Sequence, residues 1–229
     1  MQQTKHTSDL CSTAPPAALP RHIVWDWNGT LCDDVQAAVN SMNAMLGKRR
    51  LPLIDVAEHR GMFRFPVRDY YDALGFQLDI EDWDALAKEF ADVFHADFSA
   101  RLFDGARDVL RRLADAGVAM SVLSACEQGA LDAALDRHGL RGRFVAARGL
   151  RHNGADSKLE AARALFAEIG APFDDVWMIG DTAHDSEVAA EAGCQCLLVC
   201  AGYQSRKRLL RVGVPVLDSV ADVPGFFGV

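Results

Sequence analysis

The sequence of 229 residues predicts an α/β fold in which a parallel sheet is interrupted near its start by an all-helical insertion. Three observations lead there. The apolar run Ile23-Val24-Trp25 ends abruptly in Asp26 and is followed by Gly29, the pattern of a strand buried on both faces that turns sharply at its carboxyl end. From Cys32 to about Leu102 nothing reads as a strand, while helical stripes follow one another. From Phe103 onward, short apolar runs alternate with helical stripes, the signature of parallel strands joined by right-handed crossovers.

Taken in order, Met1 to Pro20 is polar and rich in Pro, Ala and Thr, without the apolar segment of a signal peptide, and reads as a flexible tail. After the Ile23–Asp26 strand, Val35, Ala38, Val39, Met42 and Met45 or Leu46 form a helical stripe between Asp34 and Leu46. Pro52 and a mixed segment from Glu58 to Pro66 follow. Val67, Tyr70, Tyr71 and Leu74 mark a second helix stopped by Gly75, and Trp83, Leu86, Ala87, Phe90 and Phe94 a third. The expected division is therefore a tail (1–20), a core (21–32 and 103–229) and a helical unit (33–102), with Tyr70 and Tyr71 in the interior of that unit.

In the core, Ala106, Val109, Leu110, Leu113 and Ala114 share a helical face that Gly117 ends, and Val118 to Leu123 is a strand ending at Ser124. A helix through Leu131, Ala134 and Leu135 closes at Gly139, and Phe144 to Ala147 is a short strand. Ser157-Lys158-Leu159-Glu160 fits a capping box and opens a helix that Gly170 and Pro172 end. Val176 to Ile179 is a strand running into Gly180-Asp181, followed by a helix to about Gly193. Cys196 to Cys200 and Val214 to Leu217 complete the sheet.

Composition narrows the function. With 32 acidic against 24 basic residues the net charge is −8, which argues against nucleic acid or an anionic membrane as partner. A small anionic substrate remains compatible, because one bound cation inverts the field of a site. No apolar run approaches the ~18 residues of a membrane span. The six cysteines include no C-x-x-C pair and read as reduced thiols of a cytoplasmic protein, a monomer or homodimer.

Five polar residues fall at strand ends or helix starts: Asp26, Ser124, Lys158, Asp181 and Asp185. Their chemistry is mutually consistent. A carboxylate at a strand tip is suited to attack phosphorus, with the turn amides beside Trp27 holding phosphate oxygens. The Ser124 hydroxyl and the amide of Ala125 can hold another. Carboxylates crowded together repel unless a counter-charge is present, which Lys158 and a hard cation such as Mg²⁺ supply. Asp26 and Asp181 suit direct ligation, and Asp185, a turn further on, ligation through water.

In this order and at these places the residues resemble the haloacid dehalogenase (HAD) superfamily, and within it the phosphoglycolate-phosphatase-like branch with a helical (C1-type) cap. Asp26-Trp27-Asn28-Gly29-Thr30 matches its D-x-D-G-T motif with one departure, Ser124 its second motif, Lys158 its third, and Gly180-Asp181-Thr182 with Asp185 its fourth. The resemblance implies a Rossmann-like core, an inserted cap that sets the substrate, Mg²⁺, and a phosphoaspartyl intermediate on Asp26. It also implies that the backbone carbonyl at position 28 is a metal ligand.

The departure is Asn28, where the family has the carboxylate that protonates the leaving group and then activates water. An amide cannot do this near neutral pH, and general acid–base help is worth ~10²–10⁴-fold in rate. A slow phosphatase is therefore expected, or one with a good leaving group, or one whose acid lies elsewhere, His184 among the choices; Asn28→Asp is expected to raise its rate. Arg60 and Arg64 are candidate grips for a substrate anion, the alternative being surface arginines whose stems lie over apolar residues of the insertion. Two alternatives stand: a non-catalytic protein binding a phosphate ligand or a partner, and a metal-independent dehalogenase.

Overall fold

The computed structural model describes residues 16, 18–96, 100–150, 158–170 and 175–229. A six-stranded parallel sheet forms the core. Its central strand β1 (His22–Trp25) lies between β4 (Ala119–Glu127) and β6 (Val176–Gly180). Outside β4 is β5 (Ala146–Leu150); outside β6 are β7 (Gln195–Val199) and then β8 (Val216–Leu217).

All of β1 is buried, which is why its sequence shows no polar alternation. Successive side chains still part to opposite faces. Ile23 and Trp25 join a cluster with α5 (Ala106–Asp115), α6 (Gln128–Arg137) and α10 (Val223–Phe226). Val24 joins the other, with α7 (Lys158–Ile169), α8 (Ala183–Ala192) and Leu209 of the short helix α9 (Arg206–Leu209). Both faces of the sheet are thus covered by helices, and only the ends of the strands are open to a ligand.

The chain leaves β1 through a tight turn into β2 (Cys32–Asp33), which pairs antiparallel with β3 (Arg101–Leu102). Between these two short strands lie α1 (Val35–Arg49), α2 (Val56–Met62), α3 (Val67–Ala73) and α4 (Trp83–Ala96). They enclose their own apolar cluster, including Met42, Met45, Leu46, Tyr70, Tyr71 and Leu86.

Some elements differ from the sequence expectation. α2 forms within the mixed segment, started by a capping box in which Glu58 N–H donates to Asp55 (2.7 Å) and Asp55 N–H to Glu58 (2.9 Å). β4 continues past Ser124, with a break in its pairing to β5 between Leu123 and Glu127. β5 begins at Ala146, after a 3₁₀ turn over Arg141–Arg143 and the two residues Phe144 and Val145 that lead into it. Met1 to Pro15, Ser157 and Pro172 lie outside the described residues, so most of the expected tail and the expected cap of α7 do too. No helix among the described residues is long and apolar enough to cross a membrane, and the cysteines described, Cys32, Cys126, Cys194, Cys196 and Cys200, are free thiols.

Candidate active site

Asp26 is the first residue beyond β1. Its N–H still donates to Ile179 O of β6 (2.8 Å), so the backbone stays aligned with the sheet while the side chain passes its edge. The chain then folds back on itself. Trp27 O accepts from Leu31 N–H (3.0 Å) and Cys32 N–H (2.9 Å), and Gly29 carries a φ of +77°. A Cβ at Gly29 would lie 2.5 Å from Asp181 Oδ2, so conformation and space both call for glycine. The Trp27 ring packs in the core, 5.9 Å from His138, so only its main chain is available to a substrate. Ala125, half-buried, follows Ser124 in β4.

Lys158 opens α7 and joins the carboxylates. Its Nζ donates to Asp26 Oδ1 and, at 2.6 Å, to Asp185 Oδ1. Asp185 is in the first turn of α8, where its Oδ2 accepts from Thr182 N–H (3.0 Å), Thr182 Oγ1 (2.8 Å) and Asp181 N–H (3.2 Å). Asp181, just past β6, accepts from Thr30 Oγ1 (3.0 Å) and Tyr203 N–H (2.5 Å). All four charged residues are buried.

Burial dominates their electrostatics. It raises Asp26 to about 6, against the pull of Lys158 and with the push of Asp185. Burial and then the charges of Asp26 and Asp185 raise Asp181 well above the carboxylate range. Asp185 goes the other way: although buried, it is held below its usual value by Lys158 and by Thr182. Burial opposes the Lys158 ammonium, but Asp185 and Asp26 outweigh it and keep the group protonated.

Three carboxylates facing one ammonium leave an excess of negative charge in a buried pocket. The oxygens of Asp26, Asp181 and the Asn28 carbonyl form a hard donor set of the kind Mg²⁺ prefers. By charge and donor type the residues fit such an ion. Their side chains are nonetheless arranged around Lys158 and the backbone. Among the described residues no three His, Cys, Asp or Glu side chains surround one point as ready ligands.

Ser124 is buried, and its Oγ donates to Asn28 Oδ1 (3.1 Å) while accepting from Cys126 N–H (3.1 Å). The other end of the Asn28 amide reveals a residue that the sequence reading passed over. Asn28 Nδ2 donates to Asp34 Oδ2 at 2.5 Å, and Gly29 N–H to Asp34 Oδ1 at 2.9 Å. The Tyr203 hydroxyl donates to the same carboxylate. Burial raises Asp34 to about 7, although these three donors lower it. The only signal for Asp34 in the sequence is an acid opening a helix, its commonest position.

The helical insertion meets the core beside this site. Arg60 forks onto two main-chain carbonyls, Gly202 (Nε, 2.8 Å) and Ala201 (Nη2, 2.5 Å), and Ser205 N–H donates back to Arg60 O (3.2 Å). In this way Arg60, one of the two candidate substrate grips, joins α2 to the loop after β7. Gln204 donates to Phe63 O (3.1 Å) and accepts from Ala183 N–H (2.9 Å), and Arg208 donates to Gly61 O (3.2 Å) and Phe63 O. Phe63 packs on Tyr203 (5.0 Å) and Phe65 on His184 (4.5 Å). Arg64 is exposed, and its charge adds to burial in lowering Arg208. His184 pairs with Glu187 (2.9 Å) and Arg206 with Asp218.

Comparison with known proteins gives the family and the fold. Residues 23–199 match the family model of haloacid dehalogenase-like hydrolases. A phosphoglycolate phosphatase of Caulobacter vibrioides is 31% identical over 215 residues, covering 88% of each chain. The tyrosine-protein kinase PtkA of Mycobacterium tuberculosis is 27% identical over 217 residues, covering 91% of this chain and 72% of its own. In fold, a haloacid dehalogenase-like hydrolase of Streptococcus pneumoniae superposes with a TM-score of 0.78 at 19% identity, over 91% of this chain and 98% of that one.

Proposed function

The chain belongs to the haloacid dehalogenase-like hydrolases, and from that membership we propose a Mg²⁺-dependent phosphatase that cleaves a small phosphorylated metabolite through a phosphoaspartyl intermediate on Asp26. The observation that carries the reading is Lys158, buried and bridging Asp26 to Asp185 beside Asp181 at the end of the sheet. Residues 21–32 and 103–229 act as the catalytic core and 33–102 as its cap, in a cytoplasmic monomer or homodimer.

A carboxylate oxygen of Asp26 attacks phosphorus as the ester P–O bond breaks, and the leaving oxygen takes up a proton. Water then attacks the same phosphorus, the P–O bond to Asp26 breaks, and phosphate departs. Lys158 keeps Asp26 oriented and offsets charge on the phosphoryl oxygens, while the Ser124 hydroxyl, turning its one hydrogen away from Asn28 Oδ1, and the Ala125 amide would hold another of those oxygens. Asp26, Asp181 and the Asn28 carbonyl would hold Mg²⁺, with Asp185 behind through water. Bound there, the ion would draw charge from the phosphoryl group and balance the carboxylates. Asn28 offers hydrogen bonds but no proton, so both steps proceed slowly unless the leaving group is good.

The test is a panel of phosphorylated metabolites, phosphoglycolate and sugar phosphates included, assayed with and without Mg²⁺. Phosphate release that needs Mg²⁺, with an acid-stable, base-labile phosphoenzyme, is expected. Activity surviving EDTA on a haloacid, or no turnover and no phosphoenzyme on any ester, overturns it. One observation favours a second reading. Without an ionisable group at position 28, water has no activated advantage over other nucleophiles, so the phosphoryl group can pass to an acceptor hydroxyl. The similarity to a tyrosine-protein kinase runs parallel to this chemistry. Adding a phenol or alcohol to the assay and measuring its phosphate ester against inorganic phosphate separates the two readings.

A further inference from the structure

We infer that Asp34 is the positioning residue for Asn28, and that the two form one unit in which the carboxylate absent from position 28 stands at position 34. The functional part of the inference rests on the phosphatase reading of Asp26.

An ionised carboxylate only accepts hydrogen bonds, so it decides which end of an amide it meets. Asn28 turns Nδ2 to Asp34 at 2.5 Å and is thereby obliged to present Oδ1 on the other side, where Ser124 Oγ–H donates to it at 3.1 Å. Asp34 is itself fixed by Gly29 N–H at 2.9 Å and by the Tyr203 hydroxyl. It occupies the position before α1 where an aspartate ordinarily caps the helix, yet its side chain makes no cap bond and faces the turn instead. Asn28 is therefore held as a neutral acceptor beside the phosphoryl-binding hydroxyl, able to orient a leaving group or a water through Oδ1.

The pairing predicts a different outcome from the expectation that Asn28→Asp alone raises the rate. That change would set a second carboxylate oxygen 2.5 Å from Asp34, where the two repel unless one of them takes up a proton, and a shared proton withdraws the new carboxylate from base catalysis. The reciprocal exchange, Asn28→Asp with Asp34→Asn, avoids the conflict. One N–H···O bond would span the gap with reversed polarity, and the amide oxygen now at position 34 could still accept from Gly29 and Tyr203.

The experiment compares the full chain with N28D, D34N and N28D/D34N, measuring kcat, KM and the melting temperature without metal. N28D is expected to lose about tenfold or more in kcat and several degrees in Tm. D34N is expected to lose several-fold in kcat at unchanged KM, because the amide at 28 can then sit either way round. The double variant is expected to recover the Tm and to turn over about tenfold faster than N28D. A merely structural Asp34 would show no such mutual rescue. N28D as stable and active as the parent, or strictly additive effects in both kcat and Tm, overturns the inference. Should every chain, the parent included, fail to release phosphate with Mg²⁺, the phosphatase reading falls. The inferred pairing is then judged by Tm alone: rescue supports it and additivity overturns it.

Discussion

The charged cluster around Lys158 and the junction between helical insertion and core lie side by side, but they are built differently. At the cluster, side chains meet side chains: Lys158 with Asp26 and Asp185, Thr30 with Asp181, Asn28 with Asp34. At the junction, side chains mostly meet main-chain carbonyls or rings: Arg60 with Ala201 and Gly202, Gln204 and Arg208 with Phe63, Phe65 with His184. The first kind of contact leaves a buried charge exposed to apolar surroundings when one partner is removed. The second can be exchanged for water group by group. A buried charged centre and the junction beside it are thus made from the same kinds of bond, distinguished by burial and by what stands opposite.

The contrast is tested hardest at Asp26. Asp26→Asn should lower turnover by at least ~10³-fold and abolish the phosphoenzyme, because the nucleophile is gone while the fold remains. Lys158→Met comes next. Removing the ammonium leaves Asp26 and Asp185 buried without their partner, which costs about 3–5 kcal/mol, or roughly 6–20 °C in melting temperature for a chain of this size. Mg²⁺ should restore more of that loss than it adds to the parent, and a variant as stable as the parent without metal would show that Lys158 does not balance the cluster.

Arg60→Ala should act more gently, lowering kcat by about tenfold, equivalent to ~1.4 kcal/mol, with little change in Tm. If Arg60 joins α2 to the core, the loss is the same for esters of different charge; a rise in KM confined to substrates with a second anionic group would restore it as a substrate grip.

A further effect is one of pH and leaves turnover untouched. His59 is buried in α2, with Nδ1 against the Tyr70 hydroxyl at 2.7 Å. Burial lowers its pKa to about 4, helped by the charge of Arg60. Because the folded value lies below the unfolded one, its contribution is complete above about 6.5 and is lost as pH falls from there toward about 4. At pH 5 this is worth about 2 kcal/mol at most, at ~1.4 kcal/mol per unit. His59→Gln should flatten the dependence of Tm on pH over this range while leaving kcat at pH 8 unchanged.

The same contrast explains what could be read in the sequence. Asp26, Ser124, Lys158, Asp181 and Asp185 were recognisable because apolar runs mark the strands and helical stripes the helices at whose ends they stand, and because both members of most contacts are polar letters. The link from Arg60 to the core left no trace in the sequence, since its partners are carbonyls that every residue carries. α2 was missed because His59 is its only buried residue and leaves no apolar stripe. β2 and β3 are two residues each, too short for a period. Asp34 was hidden by an ordinary reading as the acid at the head of a helix, and only the turn of the chain at Gly29 brings it onto Asn28.

Gly29 and Gly202 press on Asp181 from two directions, and a Cβ on either would run into its carboxylate. Asp181 is thus seated by bare backbone as much as by its hydrogen bonds. A single methyl, introduced as Gly202→Ala, would crowd this carboxylate and the Gly29 carbonyl together while leaving every ionisable side chain in place. Steric detuning of that sort offers a handle on the site that an inventory of its reactive groups would overlook.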